Sequence, residues 1–243
     1  MNLLSIDIGN TRSKAAVYAA EKELAFSSGV GLTLELLEEW KERYGIRHAA
    51  VSAVADDGHL PLERLAQLFD LHRPDALTSF PFRIAYQTPR SLGTDRLACM
   101  AGVHALYPGQ NVLVLQCGTC LTADLLTAAG VYEGGSIAPG MYMRFKALHT
   151  YTSRLPMVAP TRDIPLFGRT TETAIQAGVL QGFLSECEGL IRKYIAEYDN
   201  LTVILTGGDA DLVQDKIKMT TFALPNLVLY GLMTILKYDI EKQ

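Results

Sequence analysis

One short pattern occurs twice in this chain, about 110 residues apart, and it restricts the fold more than any other feature. The first copy is an apolar run, Asn2 to Ile8, that ends in Asp7-Ile8-Gly9-Asn10-Thr11. A second run, Ser13 to Tyr18, follows directly. Pro108-Gly109 then breaks the chain, and Asn111 to Leu115 leads into Gln116-Cys117-Gly118-Thr119, with Thr122 to Leu126 returning. A short apolar run that stops at glycine reads as a buried strand and a tight turn, and the returning run closes a hairpin. Two copies at this distance imply a duplicated domain, since a solenoid needs shorter and more numerous repeats. The expected division is 1–109 and 110–243.

The segments between the copies alternate in type. Glu23 to Ser28 predicts a third strand. Leu32 to Tyr44 predicts a helix with Leu32, Leu36, Leu37 and Trp40 on one face and charged residues on the other. There Glu38 and Glu42 are a like-charge pair, and Glu39 and Arg43 a weak ion pair. His48 to Val54 reads as a strand, Leu60 to Leu71 as a helix, Arg83 to Tyr86 as a short strand and Gly93 to Leu106 as a helix. In the second half, Gly134 to Gly140 reads as a turn and about Thr171 to Tyr194 as a long helix. Leu201 to Thr206 follows as a strand and Leu227 to Leu236 as a closing helix. The expected class is α/β, with mixed sheets flanked by helices.

Composition excludes several roles. The chain has 243 residues, 49% hydrophobic and 20% charged, enough for a core without staples. Its 22 basic and 26 acidic side chains leave a net charge of −4, which argues against a nucleic-acid partner. Asp7 interrupts the N-terminal apolar run, so no secretory signal is read. Leu227 to Leu236 is far below the roughly 20 residues of a membrane span. The four cysteines do not make a disulfide scaffold. The expectation is a cytoplasmic protein with no membrane partner.

Three glycine turns follow three buried strands: Asp7-Ile8-Gly9-Asn10-Thr11, Gln116-Cys117-Gly118-Thr119 and Thr206-Gly207-Gly208-Asp209. In α/β sheets ligands collect at the carboxyl ends of strands. Glycine lets backbone amides approach anionic oxygens, threonine adds a donor, and a carboxylate can hold a hydrated metal beside the phosphates. Each turn alone is weak; three in this order point to a nucleotide. The G-x-x-x-x-G-K-[ST] loop and the G-x-G-x-x-G fingerprint are both absent, so paired hairpin turns would have to do the binding. Cys117 and Cys120 form a C-x-x-C, but no second ligand pair is spaced for zinc. His149 reads as a helix-end residue.

On these residues the chain resembles the sugar kinase, acetate kinase and actin superfamily, and within it the type III pantothenate kinases. The resemblance rests on Asp7 to Lys14, Tyr86, Gly93-Thr94-Asp95-Arg96, Gly118-Thr119 and Gly134 to Gly140. It continues through Thr171, Thr206 to Asp209, and Leu227 to Leu232. It implies duplicated ribonuclease-H-like domains, and transfer of the γ-phosphate of ATP to pantothenate, the first step of coenzyme A synthesis. It assigns Asp7, Ile8, Gly9, Asn10, Thr11, Arg12, Ser13, Lys14 and Thr119 to ATP, with Asp7 near magnesium. Tyr86, Gly93, Thr94, Asp95, Arg96 and Thr171 are assigned to pantothenate, with Asp95 as proton acceptor. A homodimer with substrate sites near the interface is also implied. Read on their own, Asp95 and Arg96 could instead be a helix-start ion pair, and Lys14 a solvated strand residue.

The sequence departs from the family at Gln116. Relatives usually carry aspartate there, and it binds a monovalent cation such as potassium. Glutamine offers a carbonyl oxygen without charge. Weak cation binding, lost cation dependence and lost activity are the three consequences to separate. The last defines a second class: a non-catalytic regulatory or interaction protein on the kinase fold, like the Bvg accessory factors.

Overall fold

The computed structural model describes residues 1–53, 60–75 and 78–242. Val54, the last residue of the expected fourth strand, lies outside them. The chain begins β1 (Asn2–Ile8), β2 (Ser13–Ala19), β3 (Lys22–Ser28), α1 (Leu34–Tyr44), β4 (His48–Ala53) and α2 (Leu62–Leu68). It continues β5 (Asp70–His72), β6 (Arg83–Ile84), α3 (Thr94–Leu106), β7 (Val112–Cys117), β8 (Cys120–Leu126) and β9 (Val131–Pro139). The remainder is α4 (Met141–Thr150), α5 (Thr171–Glu197), β10 (Thr202–Thr206), α6 (Ala210–Val213), β11 (Phe222–Ala223) and α7 (Leu227–Lys242).

These elements form two compact units: residues 1–109, 130–132 and 226–243, and residues 110–129 and 133–225. In the first, the sheet order is β3-β2-β1-β4-β5. β1 runs antiparallel to β2 and parallel to β4, so it is central. A central strand covered on both faces should be continuously apolar, and Leu3, Leu4, Ser5 and Ile6 are all buried. One face packs Leu4, Ile6 and Ile8 against Leu37 and Trp40 of α1 and Leu65 of α2. α3 and α7 pack on each other, and α7 lies on β1 and β4. A Cβ at Gly231 would stand 1.7 Å from the Ala98 carbonyl oxygen, so only glycine allows that helix crossing.

In the second unit the order is β11-β10-β7-β8-β9. β7 takes the place of β1: antiparallel to β8 and parallel to β10. Apart from β6, a sixth strand beside β9, the two sheets therefore share one connectivity. Leu113, Leu115 and Cys117 of β7 pack with Val179, Phe183 and Cys187 of α5.

Three expectations change, and one helix is additional. The segment expected as a helix from Leu60 to Leu71 contains only α2, after which the chain extends into β5 beside β4. Gly134 to Gly140 is not a turn; up to Pro139 it is strand β9, whose glycine lets it lie close against Ala123 of β8. α4 follows immediately, and sequence periodicity had missed it; its apolar face is short, with only Met141 and Phe145 buried. The closing helix runs on to Lys242 and belongs to the first unit rather than the second, because its apolar face is taken by α3 and β1.

Candidate active site

The first unit carries Asp7, Lys14, Asp95 and Arg96. Asp7 lies at the end of β1, in register with Lys14 on β2 and with Ser52 on β4. It is half-buried, and its pKa rises from 3.8 to about 6. Burial is the main cause; the negative charge of Asp95 adds to it, while Ser52 and Lys14 act in the opposite direction. The charges of two carboxylates thus interact at the carboxyl end of β1. Gly9 to Arg12 turn the chain from β1 into β2, with Asn10, Thr11 and Arg12 exposed and Ser13 buried.

Asp95 stands in the first turn of α3, which begins without a side-chain cap because its N-cap is Gly93. A Cβ on Gly93 would lie 2.5 Å from Asp95 Oδ1, so the carboxylate folds back over that glycine. Thr94 Oγ1 donates to the Pro74 carbonyl at 3.2 Å, tying the helix start to the chain after β5. Arg96 is buried, and its guanidinium lies 5.7 Å from the Tyr86 ring. The charge of Asp95 is thus felt at Asp7, and Arg96 lies over Tyr86.

The second unit supplies mainly backbone. Thr119 is the exposed residue of the turn between β7 and β8, where Gly118 N donates to Cys120 O at 3.0 Å. Gly140 N donates to Thr119 O at 3.0 Å. Gly207 has φ +94, a left-handed conformation that follows β10 and brings Asp209 N within 3.0 Å of Cys117 O. Burial raises the pKa of Asp209. Gln116 is in register with Thr122 on β8 and Thr206 on β10. Thr206 Oγ1 donates to Leu224 O at 2.7 Å, whereas the buried Thr122 hydroxyl has no hydrogen-bond partner among the described residues. Thr171 is the exposed first residue of α5, flanked by a capping box between Thr170 and Thr173.

All four cysteines are free, and three of them are buried. Cys117 touches Cys187, and both sit in the core between β7 and α5, as packing residues do. His149 lies in the last turn of α4, with Nδ1 2.9 Å from Leu155 O. Among the described residues no group of three or more histidine, cysteine, aspartate or glutamate side chains could hold a metal. No helix of the described residues is long and apolar enough to cross a membrane.

The family model for type III pantothenate kinase matches residues 3–193. A type III pantothenate kinase of Bacteroides fragilis is 41% identical over 243 residues, covering 98% of this chain and 98% of that protein. One from Phocaeicola vulgatus is 39% identical over 240 residues, covering 98% and 99%. Among solved structures, a Baf family transcriptional activator from Campylobacter jejuni superimposes with a TM-score of 0.62 at 22% identity, over 98% of this chain and 99% of that one. A ROK family glucokinase from Streptomyces griseus, solved with glucose and AMPPNP, gives 0.55 at 14% identity, over 98% and 100%. At these identities the structural likenesses establish the sugar-kinase and actin-like fold alone.

Proposed function

The chain belongs to the type III pantothenate kinase family, and we propose that it transfers the γ-phosphoryl group of ATP to the hydroxyl of pantothenate, the first step of coenzyme A biosynthesis. The observation that carries the chemistry is the electrostatic coupling of Asp95, at the start of α3, to Asp7, which precedes the Gly9 turn. Phosphoryl transfer needs in-line placement and charge neutralisation more than covalent help. The hydroxyl oxygen of pantothenate forms the new bond to phosphorus as the bond to the bridging oxygen of ADP breaks. Asp95 orients that hydroxyl and accepts its proton. Arg96, stiffened by the Tyr86 ring, is matched to the substrate carboxylate. Thr94 and Thr171 complete the pantothenate contacts. The Gly9 to Lys14 hairpin and the Thr119 turn take the ATP phosphates, with backbone amides as donors.

Asp7 is a fitting partner for magnesium, because burial and the negative charge of Asp95 both disfavour its ionised form and a cation would offset them. Bound with ATP, the metal screens phosphate charge. The potassium position is different. Gln116 and the unpartnered Thr122 hydroxyl are neutral oxygen donors, with no charge to attract an ion. We assign this chain a weakened monovalent-cation site there. We also assign it the homodimeric state implied by the resemblance. Exposed Ile137, Tyr142, Tyr151, Leu166 and Phe167 on the second unit supply apolar surface for that contact.

The regulatory reading is not favoured. The Baf-family likeness is at 22% identity, whereas relatives named as kinases reach 39% and 41% over nearly the whole chain. The test is ADP release from ATP and magnesium, with and without pantothenate, in potassium and then sodium buffer. Pantothenate-dependent release is expected. A folded protein that releases no ADP in either buffer overturns the proposal.

A further inference from the structure

We infer that Arg144, which lies outside all the motifs above, is a positioning residue that sets the Gly118–Thr119 phosphate turn through Pro139 and Gly140. The inference rests on the assignment of Thr119 to the ATP phosphates. Gly140 N donates to Thr119 O at 3.0 Å. A Cβ on Gly140 would stand 2.0 Å from Gly118 O and 2.5 Å from Thr119 O. Two backbones therefore touch with no side chain between them. A shift of Gly140 is passed directly to the turn.

Gly140 is the N-cap of α4 and has no side chain with which to fix the helix entry. Arg144, one turn into α4, does so instead. Its backbone N–H donates to Gly140 O at 3.1 Å, and its Nε donates to Pro139 O at 2.9 Å. The other side of the same guanidinium is ion-paired with Glu186 of α5. Its carbon lies 5.1 Å from the ring of Phe183, which is fully buried in the core of the second unit. A guanidinium is rigid and planar, so bonds on two of its edges fix the distance between their partners. The result is a strut: from the core helix α5, through Glu186 and Arg144, to Pro139 and Gly140, and so to Thr119. Lysine could keep the Glu186 pairing but has no Nε–H to give Pro139.

The test compares steady-state constants for both substrates in Thr119→Ala, Arg144→Ala, Arg144→Lys, Glu186→Gln and the Thr119→Ala/Arg144→Ala double variant. Arg144→Ala should raise the KM for ATP about tenfold, as expected for a lost charge-assisted hydrogen bond, with the pantothenate KM within about twofold. Arg144→Lys and Glu186→Gln should fall between wild type and Arg144→Ala. The double variant should be no worse than the worse single one, because both changes act on one contact. An ATP KM within twofold of wild type in Arg144→Ala, while Thr119→Ala raises it, refutes the strut and leaves the Thr119 assignment standing. An unchanged ATP KM in Thr119→Ala removes that assignment and the strut with it. Equal rises in both KM values, or effects that multiply in the double variant, show a merely structural arginine and also overturn the inference. If Arg144→Ala does not fold, the lysine and glutamine variants carry the same comparison.

Discussion

Replacing Asp7 with asparagine should abolish phosphoryl transfer yet make the nucleotide-free protein more stable at alkaline pH. Asp7 titrates at about 6 in the fold against 3.8 for an unperturbed carboxyl. The fold therefore favours the protonated form. The favourable contribution is fully present below pH 3.8 and is lost as pH rises through 6. Above that, the buried charge costs the native state about 3 kcal/mol relative to an unshifted group, at 1.36 kcal/mol per unit. At pH 5 the same linkage gives a cost of about 1.5 kcal/mol. Asparagine has the carboxyl's shape and no charge. Its stability advantage should thus grow by about 1.5 kcal/mol between pH 5 and pH 8, then level off. At pH 8 it should raise the melting temperature by roughly 6–12 °C, at 2–4 °C per kcal/mol for a chain this size. The assay is urea unfolding of both proteins at several pH values, with chelator present and nucleotide absent. An advantage that stays constant from pH 5 to pH 8, or an asparagine variant less stable throughout, would refute the argument that desolvation and Asp95 govern this carboxyl.

Other outcomes follow from single contacts. Asp95→Asn should bind ATP normally, as read by calorimetry, but lose about 10²–10⁴ in kcat if the carboxylate takes the hydroxyl proton; near-normal turnover removes it from that role. Gln116→Asp should lower the potassium concentration that half-activates the enzyme, because it adds charge to a neutral donor set; an unchanged potassium titration refutes the weakened site. Gly231→Ala should lower the melting temperature, since its Cβ would meet the Ala98 carbonyl at 1.7 Å and force α3 and α7 apart. The cost is about 1–3 kcal/mol or more, and a variant as stable as wild type would mean the crossing has slack.

The repeated strand-turn-hairpin was legible because both halves of it are local. Asn2–Ile8 and Ser13–Ala19 are apolar runs whose ends are marked by the Gly9 turn, and no distant residue is needed to define them. α4 was not legible, because only two of its residues are buried and its first bond comes from a glycine that offers no cap. β9 hid behind its glycines, which read as a turn in sequence but serve close approach to β8 in space. Asp95 could be named from its motif, yet nothing in Gly93-Thr94-Asp95-Arg96 says that its charge reaches Asp7. That depends on α3 beginning near the end of β1, which is a tertiary fact. Arg144 carries no motif at all; its partners Pro139 and Glu186 lie five and 42 residues away.

The shared connectivity of the two sheets makes Asp7 and Gln116 equivalent positions. Each is the second-last residue of a central strand, followed within two residues by a turn glycine. Their cross-strand partners correspond too: Lys14 and Ser52 in one unit, Thr122 and Thr206 in the other. One fold position thus holds a carboxylate beside an amine in the first unit and neutral oxygens throughout in the second. A duplicated scaffold has reason to diverge this way. In the proposed reaction the γ-phosphate needs charge that is tuned, and Asp7 and Asp95 are the residues assigned to it. A turn that only grips phosphate oxygens needs donors in fixed places, which backbone amides supply. Charge at Gln116 would have to be neutralised by a bound cation, whereas glutamine lets that position fold without one. The same reasoning says that Gln116→Asp should leave the protein less stable in potassium-free buffer than wild type, and that potassium should restore the difference. Equal stability with and without the ion would mean that the position is solvated enough for the added charge not to matter.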